Sequence, residues 1–390
     1  MKFLNKQFTQ ETLKLALPVM LTQVGQVSVN LFDNIIVGKL LGAKALAAVS
    51  LGNAMFFSIF IFGLGFSLAI PPLVSEAHSQ HNHNRINSIF RHGFVVNIIL
   101  AFVLMLLIFG IIPLMPYLNQ PKEILPDTIT FLSIVTLSII PFMIFQTMRE
   151  VSEGLSFTIG VTKATIFANI INVILNYVFI EHFKMGVAGS AWATFIARVA
   201  MMVFLYYVLI KEEKTRRYIK DFSLKIKDFT KEMFEKLIRL GFPTALQLFF
   251  EVTAFAGAAF ICGLISAKDI AAHQIALSMA SFTFNLCVGF SVASTVMIGR
   301  KLGEKDFVNL EKVGFNNLKI AFIFMLMCGL VFILGKDVLP TFFTKKEDIA
   351  VVELASQLMI IAALFQLSDG IQVTALGCLR GIQDVKIPSI

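Results

Sequence analysis

Ten long apolar runs, each bounded by polar residues or by Gly and Pro, dominate this chain. They lie at about 13–38, 46–72, 92–115, 128–149, 160–181, 186–210, 239–265, 270–298, 316–338 and 352–379. At ~20 residues per crossing, each is long enough to span a hydrocarbon core of about 30 Å. Within such a core every backbone amide must be satisfied inside its own segment, which selects helices for runs of this kind. Composition agrees: 57% of the 390 residues are hydrophobic, 15% are charged, and 40 are Phe. A soluble domain carries about 45–50% apolar and about 25% charged residues, so this chain has too little polar surface to cover itself in water. It reads as an all-α polytopic membrane protein. The first run continues well past signal-peptide length with no small-residue cleavage site, so it is expected to be kept as a helix. Cys262, Cys287, Cys328 and Cys378 all fall inside apolar runs without CxxC spacing. They read as buried small side chains rather than disulfides or metal ligands.

The connections between runs carry the charge. Taking the side of the membrane that holds the N-terminus, basic residues there outnumber those on the opposite side about threefold, with the densest cluster in 211–239. The positive-inside rule places that side, and the N-terminus, in the cytoplasm. The net charge of +8 is therefore mostly topology information and contact with anionic headgroups, not a nucleic-acid footprint.

The chain also repeats itself. A shift of about 225 residues overlays LKLALPVMLTQ on IRLGFPTALQL and pairs Pro18 with Pro243 and Gly38 with Gly263. With a one-residue gap, Gly65-Phe66-Ser67 meets Gly289-Phe290-Ser291, and at a shift of 223 Gly154 meets Gly377 and Lys163 meets Lys386. Six helices separate a residue from its partner, so the two copies run parallel, related by an axis along the membrane normal. This predicts a six-helix N-terminal lobe over 1–210, a cytoplasmic linker over 211–237 that is partly an amphipathic surface helix, and a C-terminal lobe over 238–390. The first copy continues nearly 50 residues beyond Lys163, whereas four residues follow Lys386. The expectation is that the second repeat is truncated, with about ten helices present of twelve; a natural ten-helix protein is the alternative.

Ionisable groups inside spans are costly and mark function by default. Three acids qualify: Asp33 in VNLFDNIIVG, Glu251 in LFFEVTAF and Asp369 in FQLSDGIQV. Counting from opposite ends places Glu251 and Asp369 at similar depth, where they are expected to face each other. In the repeat Glu251 aligns with Gln26, Asp369 with Gln146, and Asp33 with Ala258, so each half carries its own carboxylate site. Half-buried acids suit a desolvated Na⁺ with oxygen ligands or a held proton. The plainer alternative is that they bind helix N–H groups or pair with Arg198, although one arginine cannot neutralise three acids at different depths. Arg198 itself is expected to snorkel toward the cytoplasmic headgroups.

Amides form a second polar layer. Asn169, Asn172 and Asn176 share a helical face, and Gln23, Gln26, Asn30 and Asn34 form a stripe flanking Asp33. Together they read as lining for a polar cavity, with interhelical hydrogen bonding as the alternative. His78, His81 and His83 sit in a cytoplasmic connection and do not read as a metal site; His273 reads as structural; Glu353 and Asp348 lie near the outer mouth. No nucleotide-binding loop and no nucleophile–base pair stands out, so the chain does not read as an enzyme.

These segments resemble a known family. ALPVMLTQ, NLFDNIIVGKLLGAKALAAVSLG and EGLSFTIGVTKATIFANIINVILNY in the first half, and GFPTALQLFFEVTAFAGAAF, AAHQIALSMASFTFNLCVGFSVAS and ALGCLRGIQDVKIP in the second, resemble the multidrug and toxic compound extrusion (MATE) transporters, NorM-type branch, over the whole length. That resemblance implies twelve helices in two six-helix lobes around a central cavity, in a bacterial-type cytoplasmic (inner) membrane. It implies export of cationic amphiphilic drugs and toxic organic compounds in exchange for Na⁺ or H⁺, with no cofactor beyond the coupling ion. Glu251, Asp369 and Asp33 are then the cation-coupling carboxylates, Glu251 and Asp369 being the Na⁺ ligands if Na⁺ is the coupling ion. Asp33, Gln26, Asn30, Asn172 and Asn176 line the substrate cavity. The implied partners are small organic cations and the lipid bilayer, with no nucleic acid and no obligate protein. A lipid-linked oligosaccharide flippase of the same superfamily is the alternative; it would need basic residues in the cavity.

Overall fold

A computed structural model of the chain describes residues 4–117, 121–225, 228–343 and 349–386. Helices account for nearly all of them, and no strand occurs among the described residues. In chain order they are α1 (Lys6–Leu41), α2 (Ala43–Ser67), α3 (Ile70–Ser79), α4 (His83–Ile111), α5 (Leu125–Leu137), α6 (Ile139–Gly154), α7 (Ile159–Tyr177), α8 (Gly186–Lys211), α9 (Glu213–Lys220), α10 (Lys231–Ile265), α11 (Ala267–Gly303), α12 (Phe307–Gly335) and α13 (Ile349–Gly381).

Nine helical stretches among the described residues are long and apolar enough to cross a membrane, and α5 with α6, bent by 42°, supplies the tenth. The expected continuous helix over 128–149 is thus a broken one. The break falls at Ser138, whose Oγ bonds back to the Val135 carbonyl rather than leaving it to the next turn. Pro141 follows three residues later and has no N–H to return to Leu137. The spans bury little of themselves. Only 22% of the most apolar window of the stretch through α4 is buried, and Leu106 and Leu107 stand 66% and 52% exposed. Apolar surface on that scale is stable against lipid, not against water.

The helices pack into two compact units. One holds the described residues of Gly25–Phe249 with Val385 and Lys386; the other holds those of Met1–Val24 and Phe250–Asp384. This packing divides the chain differently from the 211–237 linker: α1 and α10 each contribute one half to each unit. The changeovers, after Val24 and after Phe249, are 225 residues apart, the same shift that aligns the two copies. The exchange of helix halves is therefore itself repeated.

Within the first unit the core groups Phe56, Phe60, Phe131, Leu132, Ile139 and Met143 at one end and Leu73, Ile86, Phe90, Phe145, Met148 and Leu205 at the other. Gly42, at φ +86°, lets α1 reverse into α2 across one residue. Arg149, at the end of the fourth apolar run, is buried on α6, where its Nε donates to Glu153 at 2.7 Å one turn on. The α9 helix buries Thr215 and Tyr218 and turns Lys214, Arg216, Arg217 and Lys220 outward. Burial pushes the Tyr218 hydroxyl above its usual range, and that hydroxyl meets His83 Nδ1 at 2.8 Å.

In the second unit a polar seam holds the first residues of the chain to α11 and α12. The Asn5 N–H donates to Asn316 Oδ1 (2.8 Å), Thr12 Oγ1 to Asn317 Oδ1 (2.6 Å), and Asn317 Nδ2 to Ser294 Oγ (3.1 Å). Arg300 pairs with Glu11 at 2.8 Å. Leu15, Ala16 and Met20 then join Phe290, Met297 and Met325 in one apolar cluster. Here α11 and α13 approach backbone to backbone: a Cβ on Gly377 would lie 2.3 Å from the Ser291 carbonyl oxygen. Small residues at such crossings are what permits close helix packing in membranes. Gly377→Ala should therefore cost about 1–3 kcal/mol through overpacking, read as a lower melting midpoint. Gly110→Ala, whose new Cβ meets nothing within 4 Å, serves as the control for helix substitution alone. Equal midpoints for the two variants would contradict the close approach.

Candidate functional site

The carboxylates expected from the sequence divide between the two units. In the first unit Asp33 on α1 is 8% exposed. The spacing of Asn172 and Asn176 at i, i+4 stacks both amides on one face of α7, and both are buried there. Asn176 Nδ2 donates to Asp33 Oδ1 at 2.5 Å and lies 3.5 Å from Asn172 Oδ1. Asn172 Nδ2 in turn lies 3.5 Å from Thr194 Oγ1 on α8. The result is a carboxylate held by one amide, with a relay of amides and a hydroxyl behind it.

Arg198 stands one turn beyond Thr194, and its charge reaches Asp33. It does not snorkel. Its Nη1 donates to Ser138 Oγ at 2.6 Å, at the α5–α6 break, and its guanidinium lies over the Phe56 and Phe142 rings at 4.6 and 5.2 Å. The polar stripe on α1 is only partly assembled. Gln26 is half-buried, Asn30 and Asn34 are exposed, and Gln23 is buried in the other unit. Neither Gln26 nor Asn30 hydrogen-bonds Asp33 among the described residues: seven residues, ~10 Å along the axis, separate Gln26 from Asp33, and Asn30 is turned outward. Asn169, one turn before Asn172, packs instead where Gly25 leaves room, its Nδ2 2.9 Å from the position a Cβ would take.

In the second unit Asp369 on α13 is 6% exposed and Glu251 on α10 is half-buried. Each acid lies within reach of the other's charge, and the field of Arg380 also reaches Glu251. Neither acid is in an ion pair among the described residues. Two further polar residues absent from the sequence expectation flank Asp369 on α13, Gln366 one turn before it on the same face and Thr374 five residues after it. Gln366, fully buried, accepts from Thr283 Oγ1 at 3.0 Å, and Thr374 lies 3.9 Å from Cys287 Sγ. The signal for Gln366 was its i, i+3 spacing from Asp369, which puts both on one helix face.

These are oxygen-rich settings: carboxylates, amide carbonyls and hydroxyls, the donor set hard monovalent cations and protons take. No group of three His, Cys, Asp or Glu side chains placed to hold a metal ion occurs among the described residues. His273 is half-buried and Glu353 exposed, while Asp348 lies outside the described residues.

A family model described as MatE matches residues 18–178 and 243–390. The chain belongs to the MatE family. The two matched blocks start at Pro18 and Pro243, which the repeat pairs with each other. Among curated relatives, the multidrug resistance protein NorM of Photobacterium profundum is 30% identical over 383 residues, 97% of this chain and 83% of that protein. The probable multidrug resistance protein NorM of Agrobacterium fabrum is 33% identical over 386 residues, 97% of this chain and 82% of that protein. Solved structures share the fold. The eukaryotic MATE transporter AtDTX14 superposes with a TM-score of 0.87 at 16% identity, covering 98% of this chain and 84% of that one. A MOP superfamily transporter from Pyrococcus furiosus superposes with a TM-score of 0.86 at 20% identity, covering 98% and 84%.

Proposed function

We propose that this multi-pass MatE-family protein is a secondary active antiporter that exports cationic amphiphilic compounds in exchange for Na⁺ or H⁺, by alternating access from the cytoplasmic side. The observation that carries the reading is the pair Glu251 and Asp369, two acids on apolar helices, the charge of Glu251 reaching Asp369, and neither in an ion pair among the described residues. Charge so placed is costly unless a cation arrives to neutralise it. Asp33, oriented by Asn176, takes the charged end of the organic cation, and the Phe- and Met-rich surroundings take its apolar body. Entry of Na⁺ or H⁺ at Glu251 and Asp369 then removes the differential affinity that favoured the drug-bound state, and that difference is the coupling. A membrane potential supplies work on the scale of about 2.3 kcal/mol per charge per 100 mV. A flippase for lipid-linked pyrophosphates is disfavoured, since the guanidinium of Arg198 is engaged with Ser138, Phe56 and Phe142.

The test is accumulation of a fluorescent organic cation in proteoliposomes with Na⁺ and pH gradients imposed separately. Uphill movement of the cation under one of the two gradients is expected. Equal movement with both gradients collapsed would contradict antiport.

A further inference from the structure

We infer that Arg198 is the resident counter-cation of Asp33, setting how tightly that carboxylate holds an incoming cation and therefore how readily it lets go. The inference rests on the reading of Asp33 as a cation-accepting group. An arginine stays charged in any protein setting and is expensive at bilayer depth. The partners it touches here, a serine hydroxyl and two aromatic rings, are all neutral. Hydroxyls and ring faces stabilise a guanidinium only in part, so the buried positive charge calls for a nearby anion. Asp33 is the carboxylate whose field reaches it.

The geometry connects the two without closing them together. From Arg198 the polar line runs back one turn of α8 to Thr194, across to Asn172 at 3.5 Å, along α7 to Asn176 at 3.5 Å, and to Asp33 at 2.5 Å. The groups aimed at Asp33 from α7 are amides, and from α8 the charged one is Arg198. No ion pair joins Arg198 to Asp33 among the described residues. A contact pair would occupy the carboxylate, whereas a guanidinium held back by Ser138 and two rings leaves it to the Asn176 amide and an incoming cation, and still opposes that cation. That is the arrangement a release site needs: affinity enough to load, with a permanent repulsion that favours unloading.

The test is binding of tetraphenylphosphonium to the full-length purified chain. Arg198→Gln should tighten binding about tenfold, the effect of removing one nearby charge at an intermediate effective dielectric, and should slow turnover while lowering KM. Arg198→Lys keeps the charge and should bind within about twofold of wild type. Asp33→Asn should abolish binding, and adding Arg198→Gln to it should change nothing further. Unchanged or weaker binding in a folded Arg198→Gln protein, with the Asp33→Asn loss intact, would overturn the inference and leave Arg198 a brace for the α5–α6 break. If Arg198→Gln does not fold, a tenfold change in Arg198→Lys would overturn it and wild-type affinity would uphold it. Wild-type binding by Asp33→Asn would instead sink the reading of Asp33 as the group that holds the organic cation.

Discussion

Asp369→Asn should abolish ion-driven efflux, to the leak rate of empty vesicles, while the protein should melt at or above the wild-type midpoint. The two halves of this expectation come from the same geometry. Asp369 is buried on α13 with Glu251 within reach of its charge and no ion-pair partner among the described residues. Asparagine has nearly the same shape, so packing against Met325, which crowds the neighbouring Gly370, is undisturbed. Removing one of two like charges relieves repulsion instead of breaking a bond. What disappears is the site's ability to bind a small cation, and with it the coupling free energy, which for linked sites spans about 5- to 150-fold in affinity. Glu251→Gln should behave alike, and the double variant should be no worse than either single one, because the two acids act as one site. Rates of gradient-driven uptake in proteoliposomes, beside melting curves, check both statements. Wild-type transport by Asp369→Asn would defeat the assignment.

Asp33 should separate binding from stability. Asp33→Ala removes the acceptor of the Asn176 amide and leaves that buried donor unsatisfied, at a cost of about 1–3 kcal/mol. Asp33→Asn retains an oxygen at the same place, so the hydrogen bond from Asn176 survives and this variant should melt above Asp33→Ala, while both lose the counter-charge of Arg198 alike. Both variants lose the carboxylate charge and should lose organic-cation binding to the same extent. Equal stabilities for the two would show that the Asn176 contact is not formed, and retained cation binding in both would show that Asp33 does not hold substrate.

Much of this was legible in the sequence for identifiable reasons. Span length and the 225-residue shift are properties of the chain alone, so the ten crossings and the repeat followed from hydropathy and register. Asp33, Asn172 and Asn176 were legible because polar groups stand out in apolar helices and because an i, i+4 spacing fixes a shared face. Other features depended on neighbours. The break at Ser138 lies in a run with no change of composition, and a proline inside a membrane helix does not by itself announce a break. Arg149 sits at the end of a run, where charge normally marks water, yet Glu153 one turn on satisfies it in the interior. Arg198 was expected to reach for headgroups because its partners, Ser138, Phe56 and Phe142, come from two other parts of the chain. The amide stripe on α1 has the correct period, but among the described residues the hydrogen bond from α7 goes to Asp33 beside it. The changeover of α1 and α10 between packing units falls inside unbroken helices, where hydropathy carries no information about which neighbours each half chooses.

The central claim is that small ions and organic cations take turns on these carboxylates. The most direct measurement is the release of bound Na⁺ or H⁺ from purified protein when an organic cation is added, followed by radioactive sodium and by a pH-sensitive dye in parallel. Wild type should release one of the two ions in proportion to the cation bound, and the Glu251→Gln/Asp369→Asn double variant should release neither. Cation binding to wild type with no ion released, or release that persists in the double variant, would contradict the account.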